Sequence, residues 1–251
     1  MIRLIIAFLT LSMLAGAVHA QDTGPCDVPG YLLFGDTELK RAGSAVKDQK
    51  RLNIAVFGTA SSTLAGADGS AKAYPARLEA RLRSRLPGIA VDVKSVIKPR
   101  QTVAEMAEGL EGLLKDNKPD LVIWQAGTVD AMRGIDPETF RSELQDGVET
   151  LQTRGADVVL MNMQYSPRTE SMIASSVYLD NMRVVARDRD APLFDRLSIM
   201  RHWSETGAFD LYAATKNPAM AERVHDCIGR ALASMIIDAA HLGAVEAKAP
   251  Q

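Results

Sequence analysis

Leu52-Asn53-Ile54-Ala55-Val56-Phe57-Gly58-Thr59-Ala60-Ser61-Ser62-Thr63 is an apolar run of strand length that stops at a glycine and gives way to a hydroxyl-rich turn. Downstream, Tyr74-Pro75-Ala76-Arg77-Leu78-Glu79 opens a helical pattern in which Leu78, Leu82 and Leu86 recur every fourth residue and form one apolar stripe. The same unit repeats along the chain. Strand-like runs at 90–96, 121–124, 158–161 and 192–194 alternate with helical stretches marked by Val103, Met106, Leu110 and Leu113, and by Leu144, Val148 and Leu151. Further helices are expected over 173–187, near 197–203 and over 220–240, the last carrying Val224, Ile228, Leu232 and Ile236 inward. Alternation of this kind is the signature of a parallel sheet covered by helices on both faces. The expected fold is therefore α/β, a flavodoxin-like three-layer α/β/α sandwich on a parallel five-stranded sheet. In such sheets ligands bind beyond the carboxyl ends of the strands, beside the first strand. The loops after residues 57, 96, 124 and 162 are where function is to be sought.

The flanks carry different information. Met1-Ile2-Arg3, an apolar stretch over 4–17 and Val18-His19-Ala20 before Gln21-Asp22-Thr23 read as a secretory signal peptide cleaved after Ala20. Its apolar core of about 14 residues is shorter than the roughly 20 that a spanning helix needs, so no stable membrane span is expected after cleavage; an uncleaved anchor is the alternative. The mature chain is then periplasmic or secreted. It divides into the signal peptide at 1–20, an N-terminal arm at 21–50 with a helix over 37–47, one domain at 51–240 and a tail at 241–251 ending in a frayed 246–251. No Gly/Ser/Pro-rich linker interrupts the domain.

A formal charge of −2 gives no reason to expect a nucleic-acid partner. Cys26 and Cys227 lie near the two ends of a chain bound for an oxidising compartment, which favours a disulfide pinning the arm to the last helix. Two unpaired thiols are the alternative, since bridging depends on how closely the Cα atoms approach. His202, His225 and His241 form no cluster at metal-ligand spacing, and no metal is expected. Neither a Gly-x-Gly-x-x-Gly after a strand nor a Walker loop occurs, and no cofactor is expected.

The order of blocks resembles the SGNH (GDSL-type) hydrolases over about residues 50–235. The strand ending in Gly58 and its Ser-rich turn resemble the first family block, Gly-Asp-Ser-x-Thr. The stretch Trp124-Gln125-Ala126-Gly127-Thr128-Val129-Asp130 resembles the third, Gly-x-Asn-Asp. Asp157 to Pro167 resembles the following strand and loop, and Met200-Arg201-His202-Trp203 a segment of a bacterial exported branch. The resemblance implies an esterase, lipase or acetylhydrolase scaffold with a small-molecule, acyl-ester or glycan ligand.

Departures from the family pattern fall on the chemistry. The position of the nucleophilic Ser is Ala60, with Ser61 and Ser62 the nearest hydroxyls. Adjacent Cα atoms are ~3.8 Å apart, and a misplacement of about 1 Å costs on the order of 100-fold in rate. The oxyanion Asn is Val129, and losing such a donor typically costs about 2.7–4 kcal/mol. The second-block Gly has no counterpart in Lys98-Pro99-Arg100-Gln101-Thr102-Val103. With Cys227-Ile228-Gly229 aligned to the closing helix, the terminal Asp-x-x-His falls on Lys216 and Ala219. His225, inside that helix, is a candidate displaced base, and His202 beside Trp203 is expected to pack. Gly58, Gly127, Thr128 and Asp130 remain as oxyanion-loop or cleft residues, Asp130 as a loop-fixing carboxylate rather than a catalyst. Arg133, Gln164, Tyr165 and Arg168 follow strand ends and are candidate cleft residues.

Three readings compete. The domain is an impaired hydrolase scaffold acting as a binding module for an acylated glycan or similar ligand. Or it is an active esterase attacking through Ser61 or Ser62 with His225 or His202 as base. Or it is an unrelated α/β domain whose serines merely satisfy a turn; this is excluded if Gly58, Gly127 and the 207–219 loop surround one cleft.

Overall fold

A computed structural model describes residues 24–212 and 218–243. The leader expected at 1–20, the tail from 244 onward and Lys216 lie outside the described residues, as does the side chain of Arg168.

The sheet has five parallel strands: β1 (Arg51–Gly58), β2 (Ala90–Ile97), β3 (Leu121–Gln125), β4 (Asp157–Met161) and β5 (Leu193–Phe194). Their spatial order is β2-β1-β3-β4-β5, which is the expected flavodoxin-like winding. β1 and β3 are central, and β3 is buried along its whole length, as its apolar run Leu121–Trp124 requires. Edge strand β2 is mostly open to solvent, so its alternating Val91 and Val93 suffice where β1 needs a nearly continuous run.

Eleven helices accompany these strands among the described residues: α1 (Lys40–Gln49), α2 (Gly69–Lys72), α3 (Tyr74–Arg85), α4 (Val103–Ala107), α5 (Leu110–Asn117), α6 (Thr128–Arg133), α7 (Pro137–Thr153), α8 (Pro167–Glu170), α9 (Ser176–Asp188), α10 (Arg196–Glu205) and α11 (Pro218–Ala239). α3 packs against α11 and β2, while α7 packs against α4, α5, α9 and β4. Where one helix is expected through Val103 and Leu113, the structure breaks it at Gly109, a weak helix former, into α4 and α5. The apolar stripe survives the break, because Val103, Met106, Leu110 and Leu113 are all buried.

The arm is built into the body. The first backbone amides of α1, Arg41 and Ala42, donate to the Asp157 carboxylate at 2.8 and 3.0 Å, a helix cap supplied from the start of β4. Leu39, buried, donates its backbone N–H to the Ala239 carbonyl at 2.8 Å. Cys26 and Cys227 are bonded, with Cα atoms 4.9 Å apart and a sequence separation of 201. Closing so long a loop contributes roughly 2–4 kcal/mol. Packing continues past the end of α11 to Leu242, which is fully buried.

Candidate functional site

The carboxyl ends of β1, β3 and β4 open into a cleft of about 720 Å³, within the usual range for small-molecule sites. Its floor and walls come from the β1 turn (Thr59, Ala60, Ser61), α6 (Thr128, Val129, Met132, Arg133), the β4 loop (Gln164, Tyr165, Ser166), α10 (Arg196, Met200) and the closing segment (Leu211, Val224, His225). The turn after Gly58, the helix after Gly127 and Leu211 of the 207–219 loop therefore face one another.

The turn after β1 is organised by Gln125, the last residue of β3. Its Oε1 accepts the Thr59 backbone N–H at 2.9 Å and the Thr59 hydroxyl at 2.8 Å, and the Ser61 and Ser62 hydroxyls lie 3.4 and 3.3 Å away. The Thr59 N–H, which only donates, settles which end of the amide faces the turn. Gly58 is required here by close approach, because a Cβ on it would stand 2.3 Å from Ser62 Oγ. Gly127 is required by its backbone: its φ of 93° is left-handed, and it opens α6.

The two candidate hydroxyls are in different environments. Ser62 is buried, accepts a hydrogen bond from the Tyr74 hydroxyl at 2.9 Å and faces Gln125. Ser61 lies at the cleft, where its Oγ accepts from Arg196 Nη1 at 3.2 Å and its carbonyl from Nη2 at 3.1 Å. Ala60 is exposed, so a methyl stands at the cleft beside Ser61.

His225 lines the cleft but is buried, and its Nδ1 accepts the Tyr74 backbone N–H at 3.0 Å. Burial, helped by the charge of Arg196, pushes its pKa down to about 3. The neutral ring then carries its proton on Nε2, which makes it a donor toward the cleft and a poor base. Among the described residues no hydrogen bond joins His225 to Ser61 or Ser62. His202 sits half-buried on α10 outside the cleft lining, beside Trp203, whose Nε1 donates to the Asp27 carbonyl at 2.8 Å.

Asp130 accepts the Val103 backbone N–H at 2.9 Å, capping α4 from α6, and burial raises its pKa. This bond ties the β2 loop to the β3 loop. Val129 and Thr128 face the cleft, as do Arg133, Gln164 and Tyr165. Among the described residues no group of three or more His, Cys, Asp or Glu side chains is placed to hold a metal ion.

Two site residues escape a reading of the sequence. Gln125 is signalled only by being the one polar residue at the end of an apolar strand. Arg196 carries no signal in its neighbours; it is 1% exposed and yet lines the cleft. Burial lowers its pKa to about 10, still far above neutrality, so it is a buried cation.

Solved structures with the same fold include TesA, 22% identical, with 72% of this chain and 98% of that one aligned at a TM-score of 0.56. A catalytic mutant of Axe2, an acetylxylan esterase from Geobacillus stearothermophilus, is 19% identical over 73% of this chain and 94% of its own, with a TM-score of 0.59. LAE5, an alpha/beta hydrolase from the metagenome of Lake Arreo, Spain, is 20% identical over 74% and 96%, with a TM-score of 0.58. At these identities the likeness shows the fold, an SGNH-type hydrolase fold, and no activity. A comparison with curated proteins gives no match. A family model of the non-GDSL lipase-like family matches residues 25–242, nearly the whole described chain, and the protein belongs to that family.

Proposed function

We propose that this chain is an exported ligand-binding domain built on the hydrolase scaffold, with acyl-ester hydrolysis impaired or lost. The observation that carries this reading is the state of His225: its Nδ1 is occupied by the Tyr74 amide, and the ring is held neutral with the proton on the other nitrogen. A serine becomes a nucleophile only with a base within reach, and a His whose free nitrogen is already protonated cannot accept the serine proton. Ala60 at the nucleophile position and Val129 at the oxyanion position act in the same direction, since triad parts work as a unit. Export is supported by the leader-like 1–20 and by the Cys26–Cys227 bond, which suits an oxidising compartment. Among the described residues no helix is long and apolar enough to cross a membrane. The cleft, lined by apolar and polar groups, is where an acylated glycan or similar ligand would bind.

One observation favours a second reading, an active esterase with a shifted nucleophile: Ser61 faces the cleft beside a cation that would stabilise an alkoxide. Treatment of the oxidised protein with a fluorophosphonate probe and a short-chain aryl ester, beside an active SGNH enzyme, separates the two. The binding-module reading expects no labelling and no turnover above buffer. Labelling that disappears in Ser61→Ala would replace it with the esterase.

A further inference from the structure

Arg196 is the most costly residue in the cleft. An ionised side chain removed from water needs a partner of opposite charge or a full set of hydrogen bonds. Arg196 has neither. Nη1 and Nη2 donate to Ser61 Oγ, the Ser61 carbonyl and, at 3.3 Å, Gln164 Oε1, all neutral oxygens. Its Nε–H, buried, has no hydrogen-bond partner among the described residues. The Tyr74 ring, 5.7 Å from the guanidinium carbon, supplies only its quadrupole.

The acid closest in sequence is engaged elsewhere. Asp195 caps α10 through the Ser198 N–H and accepts from Asn162 Nδ2 at 2.7 Å and from Arg183 at 3.2 Å. Among the described residues no aspartate or glutamate lines the cleft, whereas Arg100, Arg133 and Arg196 do, in a chain of net charge −2. Of these, Arg133 is paired at 3.0 Å with Glu105, outside the lining. Apolar walls stand beside this positive floor: Met132, Met200, Leu211 and Val224 line the same cleft, and Met132 is left 66% exposed. An arginine fork matches the planar or tetrahedral oxygens of an oxyanion, and a dry setting strengthens the pairing.

The geometry points to an amphiphile with an oxyanion head as the ligand of this cleft, its head on Arg196 and its apolar body along Met132, Met200, Leu211 and Val224. This rests on the binding-module reading and names the ligand class of the same site. Ser61 and Gln164 hold the guanidinium in place for the head, and the neutral His225 offers its Nε2–H as a further donor.

Calorimetric titration of the oxidised full-length protein with decanoate, decyl sulfate, decyl phosphate, decanol and decyltrimethylammonium, each below its micelle concentration, tests the inference. The three anions are expected to bind roughly 10–100-fold tighter than decanol, the worth of a buried charge-assisted hydrogen bond. The tightest head identifies the oxyanion. Affinity for all three anions no higher than for decanol, preference for the cation, or no binding of any of the five overturns the inference. These comparisons use the native protein and so do not depend on any variant folding. Arg196→Met, if its circular dichroism is native, is expected to bind decanol as before and to lose the anion preference, with Arg196→Lys retaining part of it. Ester turnover is read separately, so hydrolysis with anion preference would remove the module reading and leave the oxyanion site standing.

Discussion

The backbone N–H of Tyr74, the first residue of α3, donates to Nδ1 of His225 in the middle of α11. This single bond joins two helices 151 residues apart in sequence and decides which nitrogen of the imidazole carries the proton. Burial, and after it the nearby Arg196 charge, disfavour protonation of this ring. Nitrogen-15 spectra of the imidazole are expected to show one neutral tautomer, protonated on Nε2, throughout pH 8 to 4. A ring that titrates near 6.5 would show that the pocket is wetter than the structure and that His225 is free to act as a base.

The same shift makes the protein acid-labile. His225 has a folded pKa of about 3 against about 6.5 when unfolded, so between these values the unfolded chain binds the extra proton. Its contribution is complete above pH 6.5 and is lost as pH falls toward 3, on the order of a few kcal/mol. Urea unfolding at pH 7 and pH 4 is expected to show a smaller acid loss in His225→Gln, whose amide oxygen keeps an acceptor for Tyr74. An unchanged slope would place the acid sensitivity elsewhere.

The two serines are predicted to separate by stability. Ser62→Ala removes the acceptor of a buried Tyr74 hydroxyl and should cost about 1–3 kcal/mol. Ser61→Ala leaves the Ser61 carbonyl in place for Arg196 and should cost less, about 1 kcal/mol or under. Chemical denaturation of both variants ranks them; the reverse order contradicts the assignment of Ser62 to structure and Ser61 to the cleft.

Restoring the missing hydroxyl is not expected to restore chemistry. Ala60→Ser places an OH at an exposed cleft position, yet His225, held by the Tyr74 amide, is not free to take its proton. Turnover of an aryl acetate by this variant should equal that of the native protein. A clear rise would mean that a base is within reach.

Loss of the disulfide should weaken the whole fold. Cys26→Ser with Cys227→Ser is expected to cost about 2–5 kcal/mol, seen as a melting point lower by roughly 4–20 °C for a domain of this size. Native protein melted with and without reductant should show a comparable difference, because the bond closes a loop of 201 residues.

Much of the fold is legible in the sequence because burial on a parallel sheet imposes local patterns. The run ending at Phe57 and the run 121–124 appear as strands in place, and Leu78, Leu82, Val103, Met106, Leu144 and Val148 face inward as their spacing requires. The break at Gly109 is the kind of detail that periodicity passes over, since the apolar stripe continues across it. In the cleft lining, Ala60 and Val129 are visible in the sequence alone as departures from the pattern that it resembles.

Arg196 and Gln125 are not legible in this way. A polar residue's worth depends on who surrounds it, and its partners are distant in sequence: Gln125 is 66 residues from Thr59, and Arg196 is 135 from Ser61. The sequence by itself determined the layers and the parallel sheet, because these follow from apolar spacing and residue identity. Only the tertiary structure decided that His225 is neutral and locked, that Ser62 is buried and that an uncompensated cation faces the cleft. Desolvation and hydrogen bonding are properties of the folded environment, set by residues that meet only when the sheet closes.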